Sequence, residues 1–285
     1  ADPGQTKMYG TENPPAYTYS VTSGNLVGTD AFNGTIKRYL GEDVGEYTIH
    51  QGNLTLSNNY QLTYISDIFT ITPASITIIV DAGQNKIYGN DDPIFTYTTN
   101  VPLVYGDSFT GALSRTEGEN IGTYAINQGS LNPGPNYNFS FVPANFQILI
   151  KNIVVSADEN QFKNYGDEDP ELTYHTNSPI ASWDNFTGSL TREAGEDLGL
   201  YEISQGSLAI NSNYNMSFVG DDFEIVARPI MVMADPDQSK IYGEDDPLEY
   251  TYTIDGNLVG GDEFTGALTR EPGENAGFYM ILQGD

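Results

Sequence analysis

One eight-residue pattern constrains this chain more than any other feature. Lys86-Ile87-Tyr88-Gly89-Asn90-Asp91-Asp92-Pro93 returns as Lys7 to Pro14, Lys163 to Pro170 and Lys240 to Pro247, with lysine spacings of 79, 77 and 77 residues. A fixed period of this length marks a tandem array, so the 285 residues divide into four small modules, not one enzyme-sized domain. Residues 1–72 read as a first repeat without its opening strand, 73–150 as a second and 151–227 as a third. Residues 228–285 read as a fourth repeat without its C-terminal strands, so the sequence is expected to be a piece of a longer array.

Within a module the signals are those of β-structure. Ile76, Ile78 and Val80 alternate with Thr77 and Ile79, and β-branched and aromatic runs lie between Gly, Asn, Asp and Pro turns. In the second repeat this predicts strands at 75–81, 94–98, 109–115, 123–128, 137–142 and 146–150, with turns at Gly83-Gln84-Asn85 and Asp92-Pro93 on either side of the Lys-x-Tyr-Gly element. No segment sustains a helical apolar period. Six or seven short strands per module fit a small immunoglobulin-like β-sandwich of about 77 residues. Glu119-Asn120-Ile121-Gly122-Thr123-Tyr124 and its counterparts read as a tyrosine corner, with Gly45, Gly122, Gly199 and Gly277 relieving crowding at the turn.

Interval counting shows where length varies. From Phe32, Phe109, Phe186 and Phe264 to Gln51, Gln128, Gln205 and Gln283 the distance is always 19 residues, and from each of the first three glutamines to the next lysine it is always 35. The lysine-to-Phe intervals are 25, 23, 23 and 24, so insertions are confined to one loop. That loop carries Leu26, Leu103, Ile180 or Leu258 and ends at Asp30, Asp107, Asp184 or Asp262. Connections between modules are short and lack glycine, and two of the three contain a proline, Pro73 or Pro229, which predicts a stiff, extended rod of modules in contact with their neighbours.

The net charge of -28 repels phosphate and makes nucleic acid and anionic membranes poor partners, and no apolar run reaches membrane-spanning length. Cysteine is absent, so disulfides and thiolate metal sites are excluded. Four of the six lysines and four of the five arginines (Arg38, Arg115, Arg192, Arg270) recur in register, which predicts an ion pair or carbonyl-capping contact in each module. A Lys–Asn isopeptide bond through Asn59, Asn136 or Asn213 is the sharper alternative. Asp81, Asp91, Asp92, Asp158, Asp169, Asp235 and Asp246 offer hard oxygen ligands for a site at a module junction, which calcium would suit. No copy follows the calcium-loop spacing, and Asp or Asn before Pro also starts simple turns. Trp183, the only tryptophan, is either a rim or junction contact or a stacking surface for a sugar. His50 and His175 occupy non-equivalent positions, no catalytic triad or phosphate-loop spacing occurs, and catalysis is not expected.

The K-x-Y-G-x-x-D-P opening, the G-D-x-F-T-G-x-L-x-R strand (Gly106 to Arg115), the G-E-x-x-G-x-Y corner and the N-Y and F-x-I endings together resemble the MBG family of the YGX type, across essentially the whole chain. Asn13, Asn33, Thr29 and Trp183 depart from that pattern. The resemblance implies a repeat domain of a large bacterial surface protein: a non-catalytic, extracellular adhesin stalk that spaces a distal binding region from the cell. The alternative is a module that binds host or environmental glycan or protein through its variable loops. The family carries no catalytic residues and no cofactor to transfer.

Overall fold

The structure, a computed structural model, describes residues 1–284 and is all-β. Two compact units divide it, Ala1–Lys151 and Asn152–Asp285, each holding two repeats. Among the described residues no helix is long and apolar enough to cross a membrane.

The second repeat shows the complete module. Seven strands run Ala74–Val80, Asn85–Ile87, Tyr97–Thr99, Ser114–Arg115, Gly122–Asn127, Tyr137–Val142 and Ala144–Leu149. They form two sheets. In the three-stranded sheet Ala74–Val80 is central, parallel to Tyr137–Val142 and antiparallel to Tyr97–Thr99. In the four-stranded sheet Ala144–Leu149 lies between Asn85–Ile87, to which it is parallel, and Gly122–Asn127, to which it is antiparallel, with Ser114–Arg115 at the far edge. The period-2 alternation places Ile76, Ile78 and Val80 from one sheet and Ile126, Phe146 and Ile148 from the other in the buried set. The third repeat has the same strand order in both sheets.

The lysine element is the main departure from the expected strands. Asn85–Ile87 is a strand, held parallel to the closing strand with Lys86 opposite Ile148, and only Tyr88-Gly89 beyond it begins the turn. The expected strand at 109–115 shrinks to Ser114–Arg115, preceded by an isolated bridge from Thr110 to Asn132. Gly111, at φ +73°, interrupts it, and a Cβ there would lie 2.1 Å from the Ser130 carbonyl oxygen.

The strand at 94–98 begins only at Tyr97 because a side chain takes the place of a neighbouring strand. The amide of Gln84 donates to the carbonyls of Asp81 and Thr96, and its oxygen accepts from the Thr96 N–H. Gln5, Gln161 and Gln238 make the same clamp on Thr18, Thr173 and Thr251. These glutamines stand two residues before each recurrent lysine, a register the sequence displays openly.

The tyrosine corner forms in all four repeats. Tyr47, Tyr124, Tyr201 and Tyr279 donate their hydroxyls to the carbonyls of Asp43, Asn120, Asp197 and Asn275 at 2.7–2.8 Å. The glycines that admit the ring are a separate set from those at the turn itself. A Cβ on Gly45, Gly199 or Gly277 would meet nothing within 4 Å, whereas on Gly41, Gly118, Gly195 or Gly273 it would lie 2.2–2.5 Å from the ring. Gly45, Gly122 and Gly199 instead serve conformation, at φ between +153° and +159°.

Gly195→Ala is expected to destabilise the third module by roughly 2 kcal/mol through overpacking, and Tyr201→Phe by about 1 kcal/mol through the lost hydrogen bond. Urea denaturation of the two single variants and of Gly195→Ala in a Tyr201→Ala background checks this. The glycine substitution becomes nearly silent once the ring is gone, and equal costs in both backgrounds would contradict the contact.

Candidate functional site

Two constellations recur, one inside each module and one where modules meet within a unit. The first gathers the scarce cations. In the third repeat the Arg192 guanidinium donates from Nε and Nη2 to Asp169 at 2.7 and 2.9 Å, from Nη2 to Glu196 at 2.9 Å, and from Nη1 to the carbonyls of Glu193 and Gly195. Its face stacks on the corner ring of Tyr201 and on Phe223 of the closing strand, 5.1 and 5.3 Å from the centroids. The Lys163 ammonium, carried on a strand of the same sheet, reaches Asp169 at 2.8 Å and Glu196 at 2.5 Å. Two cations thus share two carboxylates, one from the Asp-Pro turn and one from the tyrosine corner. Lys86, Asp92, Arg115 and Glu119 repeat the arrangement, as do Lys240, Asp246, Arg270 and Glu274.

In the first repeat Asn13 stands for the aspartate. Its Oδ1 accepts from Arg38 Nη2 at 3.0 Å, the Tyr17 hydroxyl accepts from Arg38 Nε at 3.0 Å, and Lys7 turns to Glu42 and the Thr11 carbonyl. The substitution is absorbed by a neighbouring hydroxyl.

The second constellation is the junction. In the first unit only Pro73 separates the strands Asp67–Thr72 and Ala74–Val80 of consecutive modules. One apolar cluster crosses the boundary, joining Tyr9, Ile49, Phe69 and Ile71 to Ile76 and Tyr137. Tyr9 packs edge-on against Tyr105 and Tyr137, and both Tyr9 and Tyr137 donate to Asp107, at 2.7 and 2.9 Å. Burial, and then the adjacent Asp107 carboxylate, push the Tyr9 phenol well above its ordinary range. Asn136 bridges the modules with its side chain, accepting from the Val44 N–H at 2.9 Å and donating to Asp43 at 3.0 Å. Gly10 permits the approach: a Cβ at its φ of +80° would lie 2.8 Å from Val104. In the second unit Gly166 meets Val259 in the same way, at 2.3 Å, and Arg228 fastens the turn by donating to the Tyr165 carbonyl and to Asp167.

The length-variable loop is therefore a junction element in both units, with Val104 and Val259 against the preceding Tyr-Gly. It is also tied to its own module, because the Tyr60, Tyr137 and Tyr214 hydroxyls accept from its backbone N–H at Val27, Val104 and Ala181 and donate to Asp30, Asp107 and Asp184. In the sequence these aspartates mark only the end of the loop, and the recurring Asn-Tyr pair is the one local trace of the junction.

The seven aspartates singled out for calcium are not brought together. Asp92, Asp169 and Asp246 face lysine and arginine; Asp158 pairs with His175 Nδ1 at 2.7 Å; Asp235 accepts from Thr253; Asp91 is exposed; and Asp81 fixes the glutamine clamp with its backbone. Among the described residues no group of three or more acidic or histidine side chains is placed to hold a metal ion. The lysine amines at 7, 86, 163 and 240 sit on carboxylates, and Asn136 is engaged at the junction. Trp183 is 58 % exposed, on the length-variable loop of the third module.

A family model described as MBG domain (YGX type) matches residues 2–70, 76–147, 153–224 and 230–285. No curated protein matches the chain.

The charge cluster makes stability pH-dependent with a defined sign. The Arg192 guanidinium beside Asp169 lowers its carboxyl to about 2, and Lys163 and Arg192 hold Glu196 below its usual range. An unfolded aspartate titrates near pH ~3.9, so this contribution is fully present above that pH and is lost as the pH falls from about 4 to about 2. Asp169→Asn should lower the melting temperature at pH 7 and flatten its decline between those limits, as followed by circular dichroism. An unchanged slope below pH 4 would show that the pair does not govern acid unfolding.

Proposed function

The chain belongs to the MBG domain (YGX type) family, and from that premise we propose that it is a non-catalytic spacer: an extracellular stalk segment of a bacterial surface adhesin that holds a distal binding region away from the cell. MBG repeats occur in adhesin-like surface proteins and form a structural repeat family, not an enzyme family. The observation that carries the reading is the junction. A flexible tether would leave Tyr9, Gly10 and the next loop in solvent, but here the Tyr9–Asp107–Tyr137 lock and the Asn136 bridge are part of a continuous core. Order at a joint resists bending, which is what a spacer requires. The abundant surface carboxylates add like-charge repulsion that favours extension.

A second reading, binding through the loops, rests on Trp183, whose exposed indole suits stacking on a sugar ring. The junction role of Val104, Asp107 and Val259 removes much of the loop from that task.

Small-angle scattering of the 285-residue chain tests the spacer reading. A compact domain of this length has a radius of gyration of roughly 19 Å, and a stiff array of four modules exceeds it clearly. A value near the compact limit, or a broad ensemble that Tyr9→Ala leaves unaltered, contradicts the proposal. A glycan array probed with the same chain is expected to be blank; a hit abolished by Trp183→Ala would favour the second reading.

A further inference from the structure

The second repeat is entered and left by chain segments that lie side by side. Its opening segment is Ala74–Val80 followed by Asn85–Ile87, and its closing segment is Tyr137–Val142 followed by Ala144–Leu149. Only Pro143 separates the last two strands, and one residue is too few to reverse a chain. The closing segment therefore keeps one direction as it passes from the three-stranded sheet to the four-stranded one. The two segments pair in parallel twice. Ala74 to Ile79 lie opposite Tyr137 to Val142 in the first sheet, and Asn85 to Ile87 lie opposite Gln147 to Leu149 in the second.

Parallel pairing decides how a pull is carried. Tension along the chain enters at Ala74, the N-terminal end of the opening segment, and leaves at Leu149, the C-terminal end of the closing one. Because the segments point the same way, these are opposite ends of the pair, and force slides one segment past the other. Sliding loads the evenly spaced hydrogen bonds of both ladders together, whereas an antiparallel pair entered and left at one end would release its bonds in turn. Side chains oppose the same slip. Lys86 of the opening segment is tied to Asp92 and Glu119, and so is Arg115, whose face stacks on Phe146 of the closing segment. The lysine-strand ladder recurs in the first and third repeats, with Gln5–Met8 parallel to Phe69–Thr72 and Gln161–Asn164 parallel to Phe223–Val226.

We infer that the complete module is a tension clamp, which carries load along the chain through two parallel ladders sheared at once. This goes beyond the spacer reading and does not rest on it, since a spacer resists bending and a clamp resists extension. Resistance to forced unfolding is set by the unfolding rate under load, not by equilibrium stability, so the direction of pulling is the decisive variable.

Optical-trap pulling of the intact chain tests the clamp, with DNA handles on introduced cysteines, since the chain has none of its own. Handles on Thr72→Cys and Ile150→Cys, both exposed positions, stretch the second module from end to end and slide its ladders. Handles on Thr72→Cys and Asn138→Cys pull at neighbouring ends of Ala74–Val80 and Tyr137–Val142 and peel the same two strands apart. End-to-end loading is expected to give one abrupt opening that lengthens the tether by about 250 Å, the extended length of ~77 residues. Its force should be at least ~2-fold above that of the peeling pair, whose bonds yield one after another. Equal forces in the two directions, or a gradual end-to-end extension without a single rupture, overturn the inference. A chain that scatters as a stiff array yet opens at equal forces is a spacer without a clamp, so the two readings fail separately.

Discussion

An arginine held between two aromatic rings and two carboxylates is the contact on which each complete module depends. It joins the tyrosine corner, the Asp-Pro turn, its own strand and the closing strand, so four separate pieces of chain meet on one planar cation. Guanidinium suits the place because its edge carries several donors while its face stacks on a ring; an ammonium offers only a point charge. The lysine beside it is only 6–8 % exposed in the first three modules, yet its head reaches the half-exposed carboxylates at the surface. In a chain with 39 acidic and 11 basic residues, eight of the cations are spent this way. The remaining acidic surface repels itself and other anions.

The junction extends the same logic along the chain. Tyr-Gly ends the strand that carries the buried lysine, so the turn that contacts the next module is anchored by the charge cluster. Tyrosine reaches the Asp107 carboxylate while its ring packs on two others, and glycine leaves room for a valine methyl group. Insertions are tolerated in the adjoining loop because only its last residues, valine to aspartate, are fixed from both sides.

Much of this was legible in the chain itself. The period, the all-β class, the opening strand with its alternating isoleucines, the corner and the pairing of registered cations all follow from local pattern, because repeats align residues that share a role. Three features were not legible. The lysine strand lacks an apolar alternation of its own and is a strand only because the distant closing strand runs parallel to it. The Gln84 clamp replaces backbone pairing with a side-chain amide, which no propensity encodes. The use of Asn136 and Asp107 across modules depends on long-range geometry, and the carboxylates that resemble calcium ligands read differently once Lys86 and Arg115 are placed beside Asp92.

The central claim is that consecutive modules within a unit share one mechanical and thermodynamic joint. Amide hydrogen exchange of the intact chain carrying Asp107→Ala tests it most directly. The account predicts faster exchange on both sides of the joint, at Val104 in the second module and at Asp43 and Val44 in the first, by comparable factors. Acceleration confined to the second module, with the first unchanged, would contradict it.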